Sequence, residues 1–298
     1  MKISVKSRSG KDMGTFTVTA STTAAQFKDM FHSSNKKFYP TRQRFTVNEA
    51  RGTALGDGPL SSFGVKDGSV LYFKDLGPQI SWKLVFLVEY FGPLWIFPLF
   101  MYAPGIVYGV SDPERSLVQK VAFGLVLFHY VKRELETLFV HRFSNATMPI
   151  TSLPKNCSHY WGLFAALVGY FLFHPRYKAP FSDDQTTEIY GLAGLMLLFE
   201  LLNLKTHLVL KNLRPPGTKV RGIPMGWGFQ LVSCANYMWE SAAWLTFCFL
   251  VQCLTCWIFL FIAFAQMSEW AVKKHANYKK EFGDKYPWMR SAIIPLIV

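Results

Sequence analysis

The chain has 298 residues, half of them hydrophobic and 16% aromatic, with 27 Phe, 13 Tyr and 9 Trp. After position 80 the apolar residues gather into runs long enough to span a bilayer, which excludes an ordinary soluble protein. The net charge of +13 fits either nucleic-acid binding or membrane topology; the basic residues border the apolar runs, so topology accounts for them and no nucleic-acid partner is expected.

Length suggests about two domains. Over residues 1–77, Ile3 and Val5 alternate with polar neighbours, SRSGKDMG supplies a turn, and Phe16 and Val18 alternate again, which is a β-hairpin pattern. Ser21, Thr22 and Thr23 offer N-caps for a helix over Ala24 to Phe31, with Phe27, Met30 and Phe31 at helical spacing. Arg44–Val47 and Ser69–Phe73 read as further strands, the last entered through Lys66-Asp67-Gly68. This ββαββ order, ending in GxxLGDGPLSSFGVKDGSVLYF, resembles a ubiquitin-like β-grasp (α+β) domain. It carries 12 Lys/Arg against 6 Asp/Glu, either a solvated basic surface or one attracted to anionic headgroups or phosphates. It ends without Gly-Gly, which argues against conjugation, and MKISVKSRSGKD lacks the apolar core of a signal peptide.

Residues 78–298 read as an all-α polytopic membrane domain of about six transmembrane helices. The expected spans are Leu84 to Tyr108, kinked by Pro93, Pro98 and Pro104; Val121 to Val140; a short Tyr160 to Phe173; Ile189 to Leu210; Gln230 to Val251; and Leu254 to Val272. Two basic residues flank each of the loops 109–120 and 174–188, whereas one side holds Lys211, Arg214, Lys219, Arg221 and the Lys-rich tail. That asymmetry puts both termini in the cytosol. The sequons at Asn145 and Asn156 would then face the cytosol unmodified. Cys253-x-x-Cys256 has neither a second pair nor a histidine at metal-ligand spacing, so the five cysteines read as membrane-helix residues and no metal is expected.

Polar side chains inside such spans are costly and usually face a protein interior. Glu89 opens the first span; His129, Lys132, Arg133 and Glu136 stand at i, i+3, i+4 and i+7 of the second; Asn203 and His207 end the fourth; Asn236, Tyr237 and Glu240 begin the fifth. All fall toward the cytosolic side, as a pocket open to the cytosol requires. A hydrated helical face neutralised by local pairs is the plainer account of the second-span set, and helix-packing glue that of Asn236 and Tyr237. As pocket residues, His129, Lys132 and Arg133 are the substrate-binding candidates. Arg214 and Arg221, with Lys211 and Lys219, suit phosphates, and no GxGxxG motif points to a Rossmann site.

HYVKRELETLFVHRFSNATMP, LRPPGTKVRGIP, VSCANYMWE and KKHANYKKEFGDKYPWMRSAIIP together resemble the trans-2-enoyl-CoA reductases of very-long-chain fatty acid elongation, within the steroid 5α-reductase superfamily. The resemblance covers nearly the whole chain. It implies an endoplasmic-reticulum enzyme that uses NADPH to reduce the 2,3-double bond of a long-chain enoyl-CoA, amid membrane lipid and other elongation enzymes. By that resemblance Glu89 and Tyr130 polarise the conjugated carbonyl, and Asn203, Arg214, Asn236, Glu240, His275 and Tyr278 hold NADPH. His207 stands where the steroid enzymes have an acid, and Tyr237 is a second candidate proton donor. The alternatives are a reductase of 3-keto-4-ene steroids or polyprenols, an S-adenosylmethionine-dependent membrane methyltransferase, and a ubiquitin-like membrane scaffold.

Overall fold

The computed structural model describes residues 1–111, 113–143, 145–214 and 222–297. It divides into two compact units, Met1–Trp82 with Asn145–Ser152, and Lys83–Ser144 with Leu153–Val298.

In the first unit, β1 (Lys2–Ser7) and β2 (Asp12–Thr17) pair antiparallel with Ile3 opposite Phe16, as the alternation predicts. Helix α1 (Ala24–Ser34) opens on a capping box: Thr23 Oγ1 accepts from the Gln26 amide and Gln26 Oε1 accepts from the Thr23 amide. Strands β3 (Gln43–Val47) and β4 (Val70–Asp75) complete a sheet of order β2-β1-β4-β3, with the central β1·β4 pair parallel and both outer pairs antiparallel. That topology is compatible with a β-grasp. Phe27 and Phe31, one turn apart on α1, bury fully against Phe16 and Phe45, with centroids 5.0–5.8 Å apart. Gly68 turns into β4 at φ +79°, a left-handed conformation that favours glycine. Arg42 and Asp75 form a two-pronged pair at the end of β4 (Nη2–Oδ2 2.6 Å), and its guanidinium holds the Asp75 carboxyl below the ordinary aspartate value. A further pair, β5 (Gln79–Ser81) with β6 (Thr147–Pro149), joins segments too distant in sequence for periodicity to predict.

The second unit is helical. Its elements are α2 (Trp82–Tyr102), α3 (Pro104–Tyr108), α4 (Leu117–Phe139), α5 (Ser152–Cys157), α6 (Leu167–Leu172), α7 (Thr186–Asn212), α8 (Ala235–Val251) and α9 (Leu254–Phe282). Helix α2 runs through Pro93 and Pro98 and breaks before Pro104. Among the described residues three helical segments are long and apolar enough to cross a membrane: Trp82–Tyr102, Thr186–Asn212 and Leu254–Lys285. The other expected spans differ for physical reasons. Helix α4 carries Lys132, Arg133, Glu134 and Glu136; the third is split into α5, a π-helical stretch Ser158–Ala166 and α6; α8 has 17 residues. At 1.5 Å per residue α8 is about 26 Å long, short of a hydrocarbon core of about 30 Å. Helix α9 continues ten residues past the expected end at Val272, so the basic tail is helical. Trp244 centres the core, with ring centroids 4.8 Å from His129, 4.8 Å from Phe164 and 5.2 Å from Phe259.

Candidate active site

Glu89 is positioned by a local defect in α2. Pro93 has no N–H, so the carbonyl of residue 89, four positions back, lacks its helical donor. Trp161 supplies one: its Nε1 donates to the carbonyls of Val88 (3.1 Å) and Glu89 (3.2 Å). The indole comes this close because residue 92 is glycine, where a Cβ would stand 1.9 Å from the ring. The Glu89 carboxylate, 2% exposed, accepts from Asn156 Nδ2 at 2.7 Å.

A buried polar ladder joins α4 to α7 and α8. His129 Nδ1 lies 2.7 Å from Glu200 Oε1, and its Nε2 lies 3.5 Å from Glu240 Oε1. One turn along, Lys132 Nζ donates to Glu200 Oε2 (2.7 Å) and Asn203 Oδ1 (2.6 Å), and Asn203 Nδ2 donates to the Asn236 carbonyl (2.9 Å). Arg133 donates to Glu136 Oε2 (2.8 Å) and to the Tyr90 hydroxyl (2.7 Å), with its guanidinium 4.9 Å over the Tyr90 ring. His207 Nδ1 lies 3.0 Å from Glu136 Oε1. Charges this deep are tolerated only when paired and hydrogen-bonded. Tyr130, beside this ladder, is fully buried, and its hydroxyl has no hydrogen-bond partner among the described residues. A buried hydroxyl without a partner calls for a ligand or water.

Beyond the ladder a cavity of about 340 Å³ lies among α4, α7, α8 and α9. Its lining includes Arg133, His141, Arg142, His207, Lys211, Arg214, Asn236, Tyr237, Lys274 and Tyr278, and among the described residues no carboxylate. Lys211 caps the end of α4 through the Phe139 carbonyl (2.8 Å), and Arg214 donates to the Arg142 carbonyl (3.1 Å). These bonds fix the cationic wall. Tyr278 stacks on Tyr286 with centroids 5.5 Å apart and planes 6° from parallel. A wall of Arg and Lys with flat aromatic surface suits a polyanion carrying rings.

The sequence model of the 3-oxo-5-alpha-steroid 4-dehydrogenase family matches residues 146–298, just over half of the chain. A very-long-chain enoyl-CoA reductase of Dictyostelium discoideum is 46% identical over 99% of this chain and 98% of its own length. The chain belongs to this family. A probable very-long-chain enoyl-CoA reductase of Caenorhabditis elegans is 44% identical over 94% of this chain and 93% of its own, and a trans-2,3-enoyl-CoA reductase-like protein of Mus musculus is 36% identical over 94% and 79%.

In this member of the 3-oxo-5-alpha-steroid 4-dehydrogenase family, His207, Arg214, Asn236, Tyr237, Tyr278 and Arg133 meet at the cavity wall. His129, Lys132, Asn203 and Glu240 form the ladder behind it. Glu89 and Tyr130 lie deeper and off the cavity wall. His275 is not on the wall either; its Nδ1 lies 2.5 Å from Ser233 Oγ, which also contacts the Tyr286 hydroxyl. Arg221, with Lys219, lies outside the described residues. Local pairs form on α4 at Arg133–Glu136 and, at 3.6 Å, at Lys132–Glu136, but this face is buried rather than hydrated, and His129 and Lys132 also reach across to α7. Sequence reasoning missed Glu200, the acid inside the apolar run of α7 and as visible a signal as Glu89. It also missed Tyr90 and Asn156, whose partners are distant in sequence. Glu136, His141 and His207 bring ligand-type atoms within 4.8 Å of one another, but both oxygens of Glu136 already face Arg133 and His207, which makes a hydrogen-bonded set rather than a cation site.

Proposed function

We propose that this protein reduces the 2,3-double bond of long- and very-long-chain trans-2-enoyl-CoA with NADPH, the last step of a fatty acid elongation cycle. The observation that carries the reading is the 46% identity, over nearly the full length of both chains, to a protein named very-long-chain enoyl-CoA reductase. The family's dehydrogenase name supports a nicotinamide cofactor. The Arg- and Lys-lined cavity, with no carboxylate among its described lining residues, supports its phosphorylated form. Arg214, with Arg221, would hold phosphates, Tyr278 would offer a ring to stack on, and Asn203, His207, Asn236, Glu240 and His275 would complete the cofactor contacts. Residues 1–77 and 78–298 would act as a ubiquitin-like domain and a catalytic membrane domain in the endoplasmic reticulum, with both termini cytosolic.

The bound cofactor supplies the hydride that adds to Cβ. Charge then builds on the thioester oxygen, and a donor held in place beforehand stabilises it without reorganisation. In this reading the Tyr130 hydroxyl, unpartnered among the described residues, and Glu89, in its protonated form and fixed by Asn156, fill that role. His129, Lys132 and Arg133 would meet the acyl-CoA near its thioester, and Tyr237 at the cavity wall would deliver the proton to Cα. Purified protein is expected to oxidise NADPH when given a long-chain trans-2-enoyl-CoA. Reduction of 3-keto-4-ene steroids or polyprenols without turnover of the enoyl-CoA would overturn the substrate class.

A further inference from the structure

We infer that Lys274 is the positioning residue for Tyr237, holding its phenol so that the hydroxyl hydrogen is presented into the cavity and facing the phenolate once that hydrogen has gone. This rests on the function proposed above. Lys274 Nζ donates to the Tyr237 hydroxyl at 2.7 Å and lies 4.5 Å over its ring, and both side chains line the cavity. The pair joins two rigid elements, the first turn of α8 and the far part of α9. Trp270, one turn before Lys274, lies with its ring centroid 6.4 Å from that of Tyr237.

The chemistry follows from the donor inventory. An ammonium only donates, whereas a phenol both donates and accepts. With its oxygen engaged by Lys274, Tyr237 has its hydrogen left to give, and the direction left for it is toward the cavity. When hydride has added at Cβ, the electron pair of the enolate takes that hydrogen at Cα. The Tyr237 O–H bond breaks, the Cα–H bond forms, and the resulting phenolate is faced by the Lys274 ammonium until water returns the proton. A lysine that only bound a cofactor phosphate would have no need of the phenol.

The test uses the full-length protein with Lys274→Met, Lys274→Arg, Tyr237→Phe and the Met/Phe double variant. Lys274→Met is expected to lower kcat about 100-fold, as loss of a general acid does, with NADPH affinity measured without acyl-CoA unchanged within about threefold. Tyr237→Phe should match it, and the double variant should be no worse than either, because the two act as one unit. Lys274→Arg should restore most of the rate. In deuterated water the wild type should place deuterium on one face of Cα, and Lys274→Met on both. A Lys274→Met protein with wild-type kcat, or one whose loss lies in NADPH affinity, overturns the pairing; additive losses in the double variant do so too. A wild type that binds NADPH but leaves the enoyl-CoA unreduced instead overturns the function reading on which the pairing stands.

Discussion

The ladder and the cavity are built from the same residue types, and they are opposites. In the ladder Glu136, Glu200 and Glu240 each meet a histidine, and Lys132 and Arg133 each meet a carboxylate. The cavity wall gathers Arg142, Lys211 and Arg214 with no acid among the described lining residues. A balanced buried network serves to fix geometry, since removing either partner strands a charge in low dielectric. In the function proposed above, the wall of one sign beside it would meet the anionic cofactor. In that reading the ladder sets position and the wall affinity, and variants in the two should therefore fail differently.

The largest effect is expected at Glu200. Glu200→Ala leaves His129 and Lys132 without their carboxylate and should cost about 3–5 kcal/mol of stability. Thermal unfolding of the purified protein would read this, and wild-type stability would break the ladder's structural role. Tyr130→Phe should leave the unfolding temperature unchanged, because the hydroxyl has no partner among the described residues, and lower kcat about 100-fold, the typical loss of one preorganised donor. A stability loss there would move Tyr130 into the ladder. Arg214→Ala should weaken NADPH binding about tenfold, equivalent to about 1.4 kcal/mol, with kcat nearly kept. A fall in kcat at constant affinity would show that the wall does more than bind.

The smallest effect tests a pair outside both regions. Because Arg42 holds the Asp75 carboxyl below its ordinary value, the pair adds stability at pH above that ordinary value. The contribution is lost as pH falls through the lowered value in the folded protein. Asp75→Asn should therefore slightly weaken amide-exchange protection in β4 at neutral pH and leave it unchanged at strongly acidic pH. A loss as large as that at Glu200 would erase the distinction between an exposed pair and a buried one.

The first unit was largely legible in the sequence because its signals are local: alternation at Ile3 and Val5, a Thr23 cap, and Phe27 and Phe31 one turn apart. The candidate site was legible only by residue. Polar groups at spacing i, i+3 and i+4 located α4's ladder face, but periodicity says nothing of a partner 71 residues away, as His129 has in Glu200. In the π-helical stretch Ser158–Ala166, Trp161 bonds to α2 and Phe164 packs on Trp244, tertiary contacts that periodicity does not carry. Of the six expected spans three qualify by length and apolarity among the described residues: the charges that build the ladder remove α4, the π-helical stretch splits the third, and α8 is too short.

Helix α9 is 29 residues long, about 44 Å at 1.5 Å per residue and well beyond a hydrocarbon core of about 30 Å. Its apolar first half and the half that carries Lys274 and Tyr278 are one rod. Membrane thickness acts on such a rod through hydrophobic mismatch, which helices relieve by tilting. A tilt set in the acyl layer would thereby reach Lys274 and Tyr278 at the cavity wall, since no break in α9 separates the two halves.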